Sequence, residues 1–117
     1  MFTIYHHPRC KISRSVLNTL IENKLEVEVI DYLKKIPTLK DLKILLLKLN
    51  ISPIELIKKD EKIFKEKFKG KNFTDNEWLQ IIHENPILIQ RPIVVQNNKA
   101  VICRPPEKIL DIIKKNI

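Results

Sequence analysis

Residues 2–32 read FTIYHHPRCKISRSVLNTLIENKLEVEVIDY, and the pattern of this stretch decides the fold. Phe2-Thr3-Ile4-Tyr5 is short, apolar and rich in strand-forming residues. His6-His7-Pro8-Arg9 is a loop, broken by Pro8. From Cys10 the chain reads as a helix, with Val16, Leu17, Leu20 and Ile21 recurring at the spacing of one helical face. From Leu25 to Tyr32 the period falls to two: Glu26 and Glu28 alternate with Val27 and Val29, which predicts a second strand with the valines inward. Strand, helix and strand in this compass form a βαβ unit, whose strands run parallel because the crossover is long enough to return the chain to the same edge.

Beyond this unit the chain turns helical. Thr38-Leu39-Lys40-Asp41 has the form of a capping box, and Leu39, Leu42, Leu46 and Leu49 mark a helix face after it. Ser52-Pro53 is a second helix start, and Asp60 to Phe68 is expected to be helical. Gly70 stands where a left-handed, helix-ending residue is expected. Thr74-Asp75-Asn76-Glu77 is another capping box, with Trp78, Ile81 and Ile82 supplying a core face until Pro86. Ile93 to Gln96 and Lys99 to Cys103 then read as two strands joined by Asn97-Asn98, a pair that tolerates positive φ. Pro105-Pro106-Glu107 opens a last helix, with Ile109, Leu110, Ile112 and Ile113 on its buried side. The order β-α-β, helical block, β-β-α describes one α/β domain over residues 1–117 with a helical insertion at about 38–85.

The composition narrows the chemistry. The chain has 117 residues, a formal charge of +8 and a single glycine. A Walker phosphate loop and a dinucleotide fingerprint each need several glycines for close backbone approach, so neither exists here. An oxyanion must be held by side chains or by the amides of a glycine-free loop. The basic residues are 18 Lys and only 4 Arg: Arg9, Arg14, Arg91 and Arg104, each close to a cysteine or a proline. In a chain so biased to lysine, arginine marks places where a planar, two-pronged donor matters. The lysines read as solvated helix faces without interleaved aromatics, so nucleic acid is not an expected partner. The aliphatic runs are short, no leader is visible, and two cysteines make no disulfide scaffold. The expectation is a monomeric cytoplasmic protein with reduced thiols and no membrane partner.

Cys10 carries the chemistry. It sits where the first strand gives way to a helix, and the free N–H groups and positive end of a helix stabilise a thiolate. Arg9 and Arg14, with His6 or His7, add positive charge, and Ser13 is within reach of the sulfur. The alternative, an inert buried cysteine, fits poorly with such polar neighbours. Cys10-Lys11-Ile12-Ser13 is a CxxS pattern, so no resolving cysteine stands beside it, and an external thiol such as glutathione is needed. If Arg104 points at the site, strand alternation turns Cys103 into the core. His6-His7 with one cysteine makes no metal set, His83 reads as a helix-end residue, and no metal or bound cofactor is expected.

Three motifs resemble one family. Ile4-Tyr5-His6-His7-Pro8-Arg9-Cys10 with Ser13-Arg14, the run Pro86 to Val95, and Cys103-Arg104-Pro105 with Glu107 are similar, in order, to the motifs of the glutaredoxin-coupled arsenate reductases. The resemblance covers nearly the whole chain. It implies a thioredoxin-like fold with a mixed four-stranded sheet and a cis bond at Arg91-Pro92, with Pro92 beside the nucleophile. It further implies that Cys10 attacks arsenate, glutathione attacks the adduct, and glutaredoxin resolves the mixed disulfide as arsenite leaves. Arg91 and Arg104 would bind the oxyanion, with His6, Ser13 and Arg14 in support. Glutathione would be a co-substrate and glutaredoxin a partner.

The chain departs from the family at two positions. Lys58 stands where the family carries a third arginine in a helix, keeping the charge but losing the fork, and His7 stands where asparagine is more usual. Two alternatives accompany the reading: a related thiol oxidoreductase acting on another oxidised substrate, and an RNA polymerase-binding regulator of the Spx type. Ser13 in place of a second cysteine argues against the redox-switch members of the latter.

Overall fold

A computed structural model describes residues 1–114 of the chain. The elements are β1 (Phe2–His6), α1 (Lys11–Glu22), β2 (Val27–Asp31), α2 (Leu39–Leu49), α3 (Pro53–Leu56), α4 (Lys62–Lys67), α5 (Asp75–Glu84), β3 (Ile93–Gln96), β4 (Lys99–Ile102) and α6 (Ile109–Lys114). Two 3₁₀ turns, at Pro86–Leu88 and Pro106–Lys108, add to the expected set. The chain divides into two compact units: one built from residues 1–35 and 91 onward, the other from Ile36–Gln90.

The first unit holds the sheet, in the order β2-β1-β3-β4. β1 pairs parallel with β2, from Phe2 opposite Val27 to His6 opposite Asp31, and antiparallel with β3. β3 and β4 form an antiparallel hairpin, with Asn97 at φ +56 in its turn. This mixed four-stranded sheet is the α/β, thioredoxin-like arrangement that the resemblance implied. Alternation along β1 buries Phe2, Ile4 and His6 on one face. Phe2 and Ile4 join Val16, Leu20, Val94, Cys103, Ile109 and Ile113 in one core. His6 occupies the last inward position of the same row, at the strand end that leads to Cys10.

The faces differ in detail from the sequence reading. On α1 the buried row is Ser13, Val16 and Leu20, while Ile21 is exposed. A serine takes a core position because its hydroxyl is fully satisfied there, as described below. β2 is a sheet edge, so Val29 is exposed despite the valine–glutamate alternation. On α6 Ile109 and Ile113 are buried and Leu110 is exposed.

The second unit is helical apart from one isolated bridge between Ile57 and Ile89. Both expected capping boxes form: Thr38 Oγ1 accepts from the Asp41 N–H at 3.0 Å, and Thr74 Oγ1 from the Glu77 N–H at 3.2 Å. Each reciprocal carboxylate accepts the cap N–H in return. Ser52 and Glu55 make a third box at α3. α2 and α3 both pack on α5. The inward face of α2 is Leu42, Leu45 and Leu46, and Leu39 is turned outward in the first turn. His83 donates from Nδ1–H to the Pro37 carbonyl, 2.8 Å away, and so ties the end of α5 to the start of its unit.

Candidate functional site

Cys10 is the N-cap residue of α1, with extended backbone at φ −87 and ψ 120. The loop that delivers it contains no glycine and is held by its own polar groups. The Cys10 N–H donates to the His7 carbonyl at 3.0 Å, and the Arg9 N–H donates to His7 Nδ1 at 3.2 Å. Arg14, one turn into α1, reaches back and donates from Nη1 to the Pro8 carbonyl at 3.1 Å. Arg14 therefore fixes the loop rather than facing the sulfur.

Ser13 is reassigned. Its Oγ lies 2.6 Å from His6 Nδ1 and accepts the His7 N–H at 3.1 Å. The hydroxyl thus joins the His6 ring to the backbone of the loop. Burial holds the His6 pKa below the ordinary histidine value, with Asp31 pulling it up and Arg14 pushing it further down. The expected positive charge from His6 is absent at neutral pH, because the imidazole sits on the buried face of β1. What Ser13 gives to Cys10 is its backbone N–H.

The thiol of Cys10 lies below the ordinary cysteine range. Burial raises it, but the N–H groups of Ser13 and Ile12 and the guanidinium groups of Arg104 and Arg91 together outweigh that cost. These amides belong to the first turn of α1, where free N–H groups point toward the cap residue. Arg104 Nη1 stands 3.9 Å from Cys10 Sγ and donates to the Arg91 carbonyl at 3.0 Å. The Cys103 N–H donates to the Pro92 carbonyl at 2.9 Å, which ties the end of β4 to the start of β3 and so sets Arg104 over Cys10. Arg91 and Pro92 are both buried. The Arg91-Pro92 bond is cis, as the resemblance implied, and Arg104-Pro105 is cis as well, which the sequence did not announce.

The second thiol behaves oppositely. Cys103 is fully buried in the core, and burial pushes its pKa up to about 12 against a small opposing effect of Lys108. Cys10 and Cys103 are both free. One cysteine therefore has its ionised form favoured by its neighbours, and the other is an apolar core residue.

Lys58 lies in the other unit, just beyond α3 rather than within a helix. Its N–H donates to the Leu88 carbonyl at 2.7 Å, and its Nζ pairs with Asp60 Oδ1 at 2.6 Å. Among the described residues no three His, Cys, Asp or Glu side chains converge as a metal-holding group, and no helix is long and apolar enough to cross a membrane.

The site in the first unit can therefore do three things. It presents a thiol whose ionisation is eased, it sets guanidinium donors beside that sulfur, and it leaves the sulfur partly accessible. Such a set suits nucleophilic attack on a tetrahedral oxyanion. Comparison with known proteins shows the family. The ArsC family matches residues 5–112. The chain is 43% identical over 114 residues to the uncharacterized protein YfgD of Escherichia coli K12, covering 94% of each. It is 37% identical over 112 residues to an arsenate reductase of Escherichia coli, covering 95% of this chain and 79% of that one. The arsenate reductase of Vibrio cholerae superposes with a TM-score of 0.89 at 35% identity, covering 95% of this chain and 96% of the other.

Proposed function

The chain belongs to the ArsC family, as an arsenate reductase-like member, and from that premise we propose that Cys10 is the nucleophile of a glutathione- and glutaredoxin-dependent arsenate reduction. The Cys10 thiolate displaces one oxygen of arsenate as water, forming a sulfur–arsenic bond. Glutathione attacks the adduct, and the sulfur–arsenic bond breaks. The electron pair goes to arsenic, which leaves as arsenite, and Cys10 is left in a mixed disulfide with glutathione. Glutaredoxin reduces that disulfide and frees Cys10. Two thiols are oxidised and arsenic gains two electrons, so no metal or bound cofactor is required. The chemistry fits a reducing compartment such as the cytoplasm and asks for only one copy of the chain.

One observation carries this reading: Arg104 Nη1 lies 3.9 Å from a Cys10 sulfur whose pKa is depressed. A guanidinium there stabilises the attacking thiolate and, with Arg91, offers paired donors to arsenate oxygens as charge develops on them. His6, Ser13 and Arg14 support the site by holding its loop, and Pro92 holds the turn from which Arg91 and Arg104 are set.

The test is arsenite formation by purified wild type and Cys10→Ser. Turnover is expected only with glutathione and glutaredoxin together, and is expected to fall to background in the variant. Turnover that survives in Cys10→Ser, or none in wild type where a known arsenate reductase works, overturns the proposal. Lys58 enters through its place in the sequence, as the charge at the third arginine position. Lys58→Arg is expected to raise arsenate turnover, and no gain removes Lys58 from the set. A second reading, reduction of another oxidised thiol substrate by Cys10, is favoured by the ion pair that already engages Lys58 with Asp60. Thiol-transfer activity without arsenate turnover supports it.

A further inference from the structure

The helical unit carries a cavity that takes no part in the thiol chemistry. It has a volume of about 530 Å³ and lies wholly within residues 54–78, with neither cysteine nor any arginine in its lining. Its wall is aromatic: Phe64, Phe68, Phe73 and Trp78. The ring centroids of Phe73 and Trp78 are 4.8 Å apart and edge-to-face, and Phe64 lies against Trp78 at 6.3 Å. Packing alone accounts for a cluster of this kind.

Packing does not account for what surrounds it. Lys59, Lys65, Lys69 and Lys71 also line the cavity, and no aspartate or glutamate does. Among the described residues none of these four ammonium groups is engaged in an ion pair; the two pairs present use Lys58 and Lys62. Backbone geometry puts two of them there. The Lys69 N–H donates to the Phe64 carbonyl at 2.9 Å, and the Lys71 N–H donates to the Phe68 carbonyl at 3.1 Å. Gly70, between them, takes φ +76, which an L side chain rarely adopts. The chain thus curls after α4 and sets a lysine on each side of the glycine. Like charges gathered at one concave site repel one another at low salt, and an anion among them relieves that repulsion. The volume falls in the range of small-ligand pockets. The half-buried rings of Phe68 and Phe73, backed by the buried Phe64 and Trp78 and rimmed by cations, match a flat heterocycle that carries phosphate.

We propose that this cavity binds a nucleotide, its base against the aromatic wall and its phosphate among Lys65, Lys69 and Lys71. The inference is independent of the thiol site. It concerns lysines that in the sequence stand as scattered solvated residues, and that the fold brings against four aromatic rings.

Trp78 is the single tryptophan of the chain and reports the site directly. AMP is titrated against wild type by Trp78 fluorescence and by equilibrium dialysis, alongside adenosine, inorganic phosphate and a short single-stranded oligonucleotide. Saturable AMP binding is expected, weakening with salt and at least tenfold weaker in the Lys65→Ala/Lys69→Ala/Lys71→Ala variant. These lysines are exposed, so circular dichroism and thermal midpoint are expected to match wild type; Phe73→Leu serves as a second variant on the aromatic side, with the same expected loss. Tighter binding of AMP than of the oligonucleotide, per site, assigns a free nucleotide; the reverse assigns one unit of a strand. No saturable binding of AMP or oligonucleotide overturns the proposal. Binding no tighter than that of inorganic phosphate, or unchanged in both variants, does the same. Arsenate turnover is expected to be unaltered in the lysine variant.

Discussion

The two units of this protein divide the basic and aromatic side chains between them. All four arginines fall in the sheet unit, while the single tryptophan and three of the four phenylalanines fall in the helical unit. In the sheet unit, cations are held by backbone carbonyls: Arg104 by Arg91, and Arg14 by Pro8. In the helical unit the lysines at the aromatic cavity are held only through their own backbone. The difference is one of purpose. A guanidinium fork is useful where its orientation is fixed in advance, because catalysis requires donors already aimed at the position where charge will develop. An ammonium on a flexible stem serves where an anion is collected rather than aligned. The contrast between Cys10 and Cys103 has the same root. The former borrows amide dipoles and guanidinium groups, whereas the latter sits among hydrocarbon and loses its ionised form.

This contrast is open to direct attack, first in the helical unit. Trp78→Ala removes a side chain with only 5% of its surface exposed and leaves three phenylalanines around a void. It is expected to cost about 3–5 kcal/mol, read from urea unfolding. A cost below about 1 kcal/mol would mean that the rings are a loose surface cluster rather than a core.

In the sheet unit, Arg104→Lys keeps the charge and removes the fork. Arsenate turnover is expected to fall by about 10²-fold, and a change below about threefold would show that charge alone suffices there. The same site gives a pH signature. With the Cys10 pKa held below the ordinary thiol value, its alkylation rate is expected to stay high below the range where a free thiol slows, and to decline only as pH falls through the depressed pKa. In Arg104→Ala the midpoint moves upward. Cys103 is expected to resist the reagent until the protein is unfolded.

Ser13→Ala deletes the acceptor of the His7 N–H and the partner of His6 Nδ1 in a buried setting. A loss of about 1–3 kcal/mol is expected, because one alanine leaves two polar groups unsatisfied. Stability equal to wild type would show that water replaces the hydroxyl. The smallest effect belongs to the lone glycine. Gly70→Ala meets no neighbouring atom, so only the φ of +76 opposes it. The cost is about 1 kcal/mol, together with weaker nucleotide binding if the turn places Lys69 and Lys71.

Much of this was legible in the chain itself. The period of two, then 3.6, then two through residues 2–32 names the βαβ unit, since those periods are the geometry of strands and helices. Capping boxes at Thr38 and Thr74 are local hydrogen-bond patterns and formed where the sequence places them. Cys10 stands out by its neighbours. Faces were less legible: Ile21, Val29, Leu39 and Leu110 fit an apolar period yet are exposed, because burial depends on what another element covers. The role of Ser13 was misread for a related reason. A hydroxyl three residues from a cysteine has several partners in reach, and only the inward turn of His6 on β1 selects one.

By itself, then, the sequence determined the element order, the absence of a glycine phosphate cradle, and the thiol and arginines proposed to stand in for one. Tertiary structure alone set the surroundings of the two thiols, with two guanidinium groups beside Cys10 and hydrocarbon around Cys103. It also decided that Arg104 meets Cys10 across 94 residues of chain separation, and that the lysines after α4 surround aromatic rings. Local interactions are written in neighbouring residues and can be read there, whereas desolvation and long-range charge placement arise only when the folded chain brings distant residues into one volume.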